Sequence, residues 1–204
     1  MTDEKMDINS HTTNIEYADS SAWEEWQKEY RYGAFYIIPP KGIIESIDEL
    51  RRKYDPKSAS IGPAHISLSE PLKESLTESQ LEELKAALAQ IAPFEIRYGP
   101  LRSFPPYPGV VYSIEPEDKF MQLREAIHST AIFKDAELKH KAIPPHMTIA
   151  EFGLGEDMTR TNELLQELAG NVPGGTFLCD HIELATPNND FYFERVLTIP
   201  LVRK

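Results

Sequence analysis

Apolar residues recur along this chain with two spacings, one of every second residue and one near 3.6, and the switches between them predict its elements. Residues 32–38 suit a strand, stopped by Pro39-Pro40, which cannot continue a ladder. Ile43, Ile44, Ile47, Leu50, Arg51 and Tyr54 then form one helical stripe, with Asp55-Pro56 beyond it. A short strand is expected over 64–69. Thr77-Glu78-Ser79-Gln80 opens the next helix in capping-box style, Leu81, Leu84, Leu88 and Ile91 supply its stripe, and Pro93 ends it. A strand at 94–101 precedes a Pro-rich stretch, Arg102 to Gly109, whose composition predicts a loop.

The order then begins again. Residues 110–114 read as a strand, Phe120, Leu123, Ile127 and Ala131 as a helix stripe, and 146–152 as a strand. A helix follows over about 156–169, a strand over 176–186, and a last strand over 191–201 after the Asn188-Asn189-Asp190 turn. The sequence strand, helix, short strand, helix, strand thus occurs twice, although the halves share little sequence identity. The pattern predicts an α+β fold of two pseudo-symmetric lobes, each a mainly antiparallel sheet with flanking helices, around a central groove. The halves are placed at about 32–104 and 105–204.

Residues 1–19 show neither periodicity, and their polar, acidic character predicts a disordered tail. Residues 20–31 are expected to form a short helix capped by Ser20 or Ser21. Trp23, Trp26 and Tyr30 lie on one face of it, ready to dock on the domain. Residues 1–30 hold eight acids and two lysines, and so account for half of the net charge of −12. This acidity argues against duplex DNA, which requires many cationic phosphate contacts, but leaves room for a small phosphate ester. The single cysteine, Cys179, excludes an intrachain disulfide and fits a reducing compartment. Neither a signal peptide nor an apolar membrane span is visible, so a cytoplasmic, monomeric chain with no membrane partner is the expectation.

Chemistry concentrates in two stretches, Pro63-Ala64-His65-Ile66-Ser67-Leu68 and Pro145-His146-Met147-Thr148-Ile149. Strand alternation puts His65 and Ser67 on one face with Ile66 and Leu68 on the other, and does the same for His146 and Thr148 against Met147 and Ile149. The bare His-x-Ser/Thr spacing is weak evidence, because His11 and His128 match it too. Only His65 and His146 lie in strand-like segments, at matching places in the two halves, 31 residues after Ala34 and 36 after Val110. A metal site is disfavoured: no Cys-x-x-Cys or His-Glu-x-x-His occurs, and His-x-Ser supplies no second ligand. No cofactor loop is present either. His128, His140 and His181 read as surface residues, and Cys179 as a buried, inert thiol.

Over residues 32–201 these features resemble the 2H phosphoesterase superfamily, which includes 2′-5′ RNA ligase-like proteins and cyclic nucleotide phosphodiesterases. The resemblance rests on His65-Ile-Ser67-Leu, on His146-Met-Thr148-Ile, on their spacing, and on the Phe104-Pro-Pro-Tyr-Pro-Gly-Val-Val-Tyr segment. It implies metal-independent chemistry on a 2′,3′-cyclic phosphate or a related nucleotide or RNA-end phosphodiester. By it, His65 and His146 are catalytic and Ser67 and Thr148 bind phosphate, with Ser67 in place of the commoner threonine. Glu151 stands where many bacterial relatives carry arginine, and alternation turns it away from the groove. Tyr107, Phe104 and Tyr36 are candidates to stack on a base. Arg102 and Lys73 are candidates to offset phosphate charge. Two alternatives remain open: a nucleotide- or RNA-end-binding module of the same fold without turnover, and 2′-5′ RNA ligase activity.

Overall fold

The computed structural model describes residues 13–134, 136, 143–153 and 158–202. Two four-stranded antiparallel sheets organise them. The first has the order β2-β1-β7-β8 and the second β5-β4-β3-β6, with β1 at Ala34–Ile37, β2 at Ile66–Ser67, β3 at Phe94–Phe104, β4 at Tyr107–Glu115, β5 at His146–Glu151, β6 at Gly175–Cys179, β7 at His181–Pro187 and β8 at Phe193–Pro200. The helices are α1 (Glu25–Lys28), α2 (Lys41–Tyr54), α3 (Pro56–Ala59), α4 (Glu78–Leu88), α5 (Glu117–His128) and α6 (Thr159–Leu168). A continuous core joins both sheets to the helices: Phe35, Ile66 and Leu68 from the first, Tyr112 and Met147 from the second, and Ile47, Leu84, Phe120 and Leu164 from α2, α4, α5 and α6.

The expected α+β architecture of two antiparallel lobes is present, but the lobes are not the two halves of the chain. β3, from the first half, pairs with β4 and β6 in the second sheet. The first sheet is completed instead by β7 and β8 from the C-terminal end. The crossing occurs at Asp180, where the strand expected over 176–186 breaks into β6 and β7, one in each sheet.

Three local readings also change. The Pro-rich stretch 102–109 is not a loop, because β3 runs to Phe104 and β4 starts at Tyr107, leaving Pro105-Pro106 as the turn of a hairpin. Prolines suit a turn, where no ladder N–H is required. The N-terminal helix shrinks to α1, four residues capped by Glu24 rather than by Ser20 or Ser21. Residues 13–19, assigned to a disordered tail, are docked: the Thr13 hydroxyl donates to the Leu76 carbonyl at 2.9 Å, and the Tyr17 hydroxyl accepts from the Leu76 N–H at 3.2 Å. Residues 1–12 lie outside the described residues, as do His11 and His140. The capping box at α4 forms as expected, with Thr77 accepting from the Gln80 N–H and Gln80 from the Thr77 N–H. No helix among the described residues is long and apolar enough to cross a membrane.

Candidate active site

His65 immediately precedes β2 and His146 opens β5; the two strands are edge strands of their sheets and approach each other. The β2 ladder is short, with Ile66 and Ser67 opposite Ile37 and Tyr36 and one more bond from the Leu68 N–H to the Phe35 carbonyl at 2.9 Å, and β1 itself stops at Ile37, just before Pro39-Pro40. Alternation nevertheless extends well past it. Ala64, Ile66 and Leu68 are buried while His65, Ser67 and Ser69 are half-buried. Met147 and Ile149 are buried while His146 and Thr148 are half-buried. Each edge therefore turns an imidazole and a hydroxyl away from the core. The rings sense each other: a charge on His146 contributes to lowering the His65 pKa.

Both imidazoles are oriented in the same way. His65 Nδ1 lies 2.8 Å from the Pro63 carbonyl, and His146 Nδ1 lies 2.9 Å from the Pro144 carbonyl. A carbonyl only accepts, so each Nδ1 is the donor, and Nε2 is the atom that gains or loses a proton. His65 is held further by α2. Arg51 donates to the carbonyls of Gly62 and Ser58, both at 2.8 Å, and to Asp48 at 2.5 Å; Asp48 in turn accepts from the Ala64 N–H at 3.0 Å. Burial pushes the His65 pKa down to about 4, helped by the nearby positive charge of Arg51. From α5, the buried Arg124 reaches β2 and the segment entering β5, donating to the Ser67 carbonyl at 3.4 Å and the Ile143 carbonyl at 3.1 Å.

The other predicted residues fall in different places. Directly paired residues project from the same side of a sheet. Thr148 pairs with Val111, and Val111 with Arg102, so Arg102 stands in the same row of the sheet face, two strands from Thr148. Phe104 meets His146 edge-on, with ring centroids 5.7 Å apart. Tyr107 is exposed at the hairpin tip, opposite Phe104. Tyr36 pairs with Ser67 and its ring is 4.7 Å from that of His65, but it is buried and forms part of the floor rather than an open stacking surface. Lys73 is exposed in the connection between β2 and α4, beyond these rows.

Glu151 is not turned away. A bulge in the β4–β5 ladder pairs Val110 with Ala150 but Val111 with Thr148, so Ile149 is the extra residue. Ile149 and Ala150 are both buried, and Glu151 returns to the exposed side shared with His146 and Thr148. Its backbone N–H donates to Asp55 at 2.9 Å, and surrounding protein together with the Asp55 charge raises its carboxyl pKa. Tyr30 lies close by: the charges of Glu70, Glu29 and Glu151 all act on its hydroxyl. Its ring packs on Phe193, and Phe193 packs on Tyr36. Asp48, Arg124 and Phe193 escaped the sequence reading, and Arg51 and Tyr30 entered it only as members of helix faces, not as neighbours of the histidines. The shared proline two residues before each histidine was the signal available for the ring geometry. Among the described residues, no group of three or more His, Cys, Asp or Glu is placed to hold a metal ion.

The family model of the 2′-5′ RNA ligase superfamily matches residues 39–190. The chain belongs to this superfamily, the 2H phosphoesterases. A curated Bacillus cytotoxicus protein named as a phosphoesterase is 32% identical over 118 residues, and a Bacillus cereus strain AH187 protein of the same description is equally similar. These matches cover 56% of the present chain and 66% of the relatives, just under two thirds of their length. Among solved structures, a phosphoesterase superposes with a TM-score of 0.56 at 16% identity, covering 83% of this chain and 97% of that one. Escherichia coli LigT complexed with NADP+ gives 0.55 at 15% identity, with 83% and 96% covered. At that identity the likeness concerns the fold.

Proposed function

We propose that this superfamily member is a metal-independent phosphodiesterase that opens a 2′,3′-cyclic phosphate, or a related nucleotide or RNA-end phosphodiester, by two-histidine acid–base catalysis. One observation carries the reading: two imidazoles, one just before β2 and one at the start of β5, are each locked through Nδ1 to a proline carbonyl, which leaves two Nε2 atoms for proton transfer. Relatives of the same superfamily are named as phosphoesterases, and LigT has been solved with NADP+ and with 3′-AMP.

The low His65 pKa gives the two rings different parts. His65 is neutral above about pH 4, and so suits the base. Its Nε2 removes a proton from water as the water oxygen bonds to phosphorus. The bond from phosphorus to one ribose oxygen breaks, and His146, as imidazolium, returns a proton to that oxygen. The Ser67 and Thr148 hydroxyls donate to the non-bridging oxygens, where charge accumulates in the transition state.

The test is a panel of 2′,3′-cyclic nucleotides and 2′-5′-linked oligonucleotides assayed in EDTA. Turnover is expected, and His65→Ala and His146→Ala should each reduce it roughly 10²–10⁴-fold without loss of the fold. Full activity in either variant overturns the mechanism. Saturable nucleotide binding with no turnover of any substrate replaces it with a binding role.

A further inference from the structure

On the first sheet, the cleft-facing row that starts at Ser67 continues through Tyr36 to Glu183 and Thr198, because Tyr36 pairs with both Ser67 and Glu183. Glu183 is 2% exposed, yet it stands on the cleft side of the sheet with Tyr36 and Ala185. Among the described residues, one of its carboxylate oxygens is used and the other is not. Oε1 accepts from His181 Nε2 at 3.1 Å and from Arg195 Nη1 at 3.3 Å, and His181 is itself held through Nδ1 by Asp180 at 2.5 Å. Oε2 is buried and has no hydrogen-bond partner among the described residues. A buried carboxylate oxygen without a donor is costly, and such an atom calls for an explanation.

We infer that Glu183 Oε2 is the acceptor of a nucleobase-reading subsite that takes an exocyclic amino group. This rests on the reading that the cleft binds a nucleotide phosphodiester. Distance selects the base: Ser67 and Glu183 sit two strand spacings apart, about 10 Å, a span that runs from a phosphate at Ser67 across the ribose to the base. Chemistry selects the amino group. A carboxylate oxygen only accepts, so its ligand must donate, and a base carbonyl in that position would be repelled. Between the two ends lies the Tyr36 ring, which forms a floor beneath the sugar. The groups bonded to Oε1 can yield to a ligand: the Arg195 side chain is 62% exposed and its bond is 3.3 Å long, and His181 is 36% exposed. Opposite, the equivalent row of the second sheet ends in Arg102, so the two walls differ in charge and the ligand has one orientation.

Calorimetric titration with adenosine 3′-monophosphate and inosine 3′-monophosphate tests this directly, because the two probes differ at the amino group. The wild-type protein should bind the adenosine compound about tenfold or more tightly, the discrimination expected of a charged acceptor that is left unpaired by the wrong ligand. Glu183→Gln should erase the preference, and Arg195→Gln should retain it. Equal binding of the two probes by the wild-type protein overturns the inference, as does a preference that survives in a folded Glu183→Gln variant. If Glu183→Gln fails to fold, the wild-type comparison decides alone. Preference without turnover of any cyclic phosphate would leave this subsite standing and remove the proposed mechanism, whereas turnover without preference would do the reverse.

Discussion

The titration of His65 offers the sharpest check on the site. An imidazole in water titrates near 6.5, and burial beside Arg51 takes this one to about 4. The difference corresponds to about 3 kcal/mol, less whatever water in the cleft screens. Its sign is fixed by linkage. Between pH 6.5 and 4 the unfolded chain takes up a proton at this residue and the folded chain does not, so stability falls as pH falls through that window. Above pH 6.5 the residue contributes no pH dependence. Urea unfolding of the wild-type protein and of His65→Gln, at pH 7, 5.5 and 4, should therefore converge: the stability difference should shift in favour of the variant by up to about 3 kcal/mol as pH drops. Carbon-13 labelling of the histidine ring should report the titration directly, with an acid limb in kcat/KM at the same pH. A His65 midpoint at or above 6, or a stability difference that stays flat over the window, would refute the burial argument and remove its support for assigning the base role to His65 rather than His146.

Two substitutions test the framework around the pair. Arg124→Met removes the guanidinium that bonds the carbonyls next to both motifs and leaves the buried Glu70 facing less positive charge; the expected cost is about 3 kcal/mol by urea unfolding, and a loss below about 1 kcal/mol would show that the strap is dispensable. Gly33→Ala should lower the melting temperature strongly, because Gly33 has φ +79° and an added Cβ would lie 2.2 Å from the Ala185 carbonyl oxygen; an unchanged melting curve would contradict the close packing of the β1 entry against β7.

What was legible in the sequence is what short-range physics dictates. Alternation placed Ile66, Leu68, Met147 and Ile149 inside, and the histidines and hydroxyls outside. The Thr77 capping box and the α2 stripe are likewise local. Three things were not legible, each for a non-local reason. Strand exchange is decided by which sheet β3 and β7 join, and no residue in either strand encodes that choice alone. The Ile149 bulge depends on how β5 pairs with β4, so strict alternation sent Glu151 to the wrong face. Glu183 looks in sequence like any acid in a strand. Its place two positions along a row from Ser67 appears only once both ladders of β1 are known.

The exchanged strands also bear on how the proposed site would work. A phosphodiester site built from two edges would be loose if each edge belonged to an independent lobe, since a small hinge motion would part the imidazoles. Here the chain crosses between sheets on leaving α4 for β3 and again between β6 and β7. The side chains that brace each motif come from helices that reach across: Arg124 of α5 ties the Ser67 carbonyl of one edge to the segment entering the other, and Asp55 after α2 holds the Glu151 N–H at the far end of β5. One core runs through both sheets. Separating the histidines would therefore require breaking buried polar ties and parting that core, not bending a linker. Acid–base catalysis by two groups on one phosphate needs this kind of rigidity, because misplacement of either by about 1 Å can cost on the order of 10²-fold.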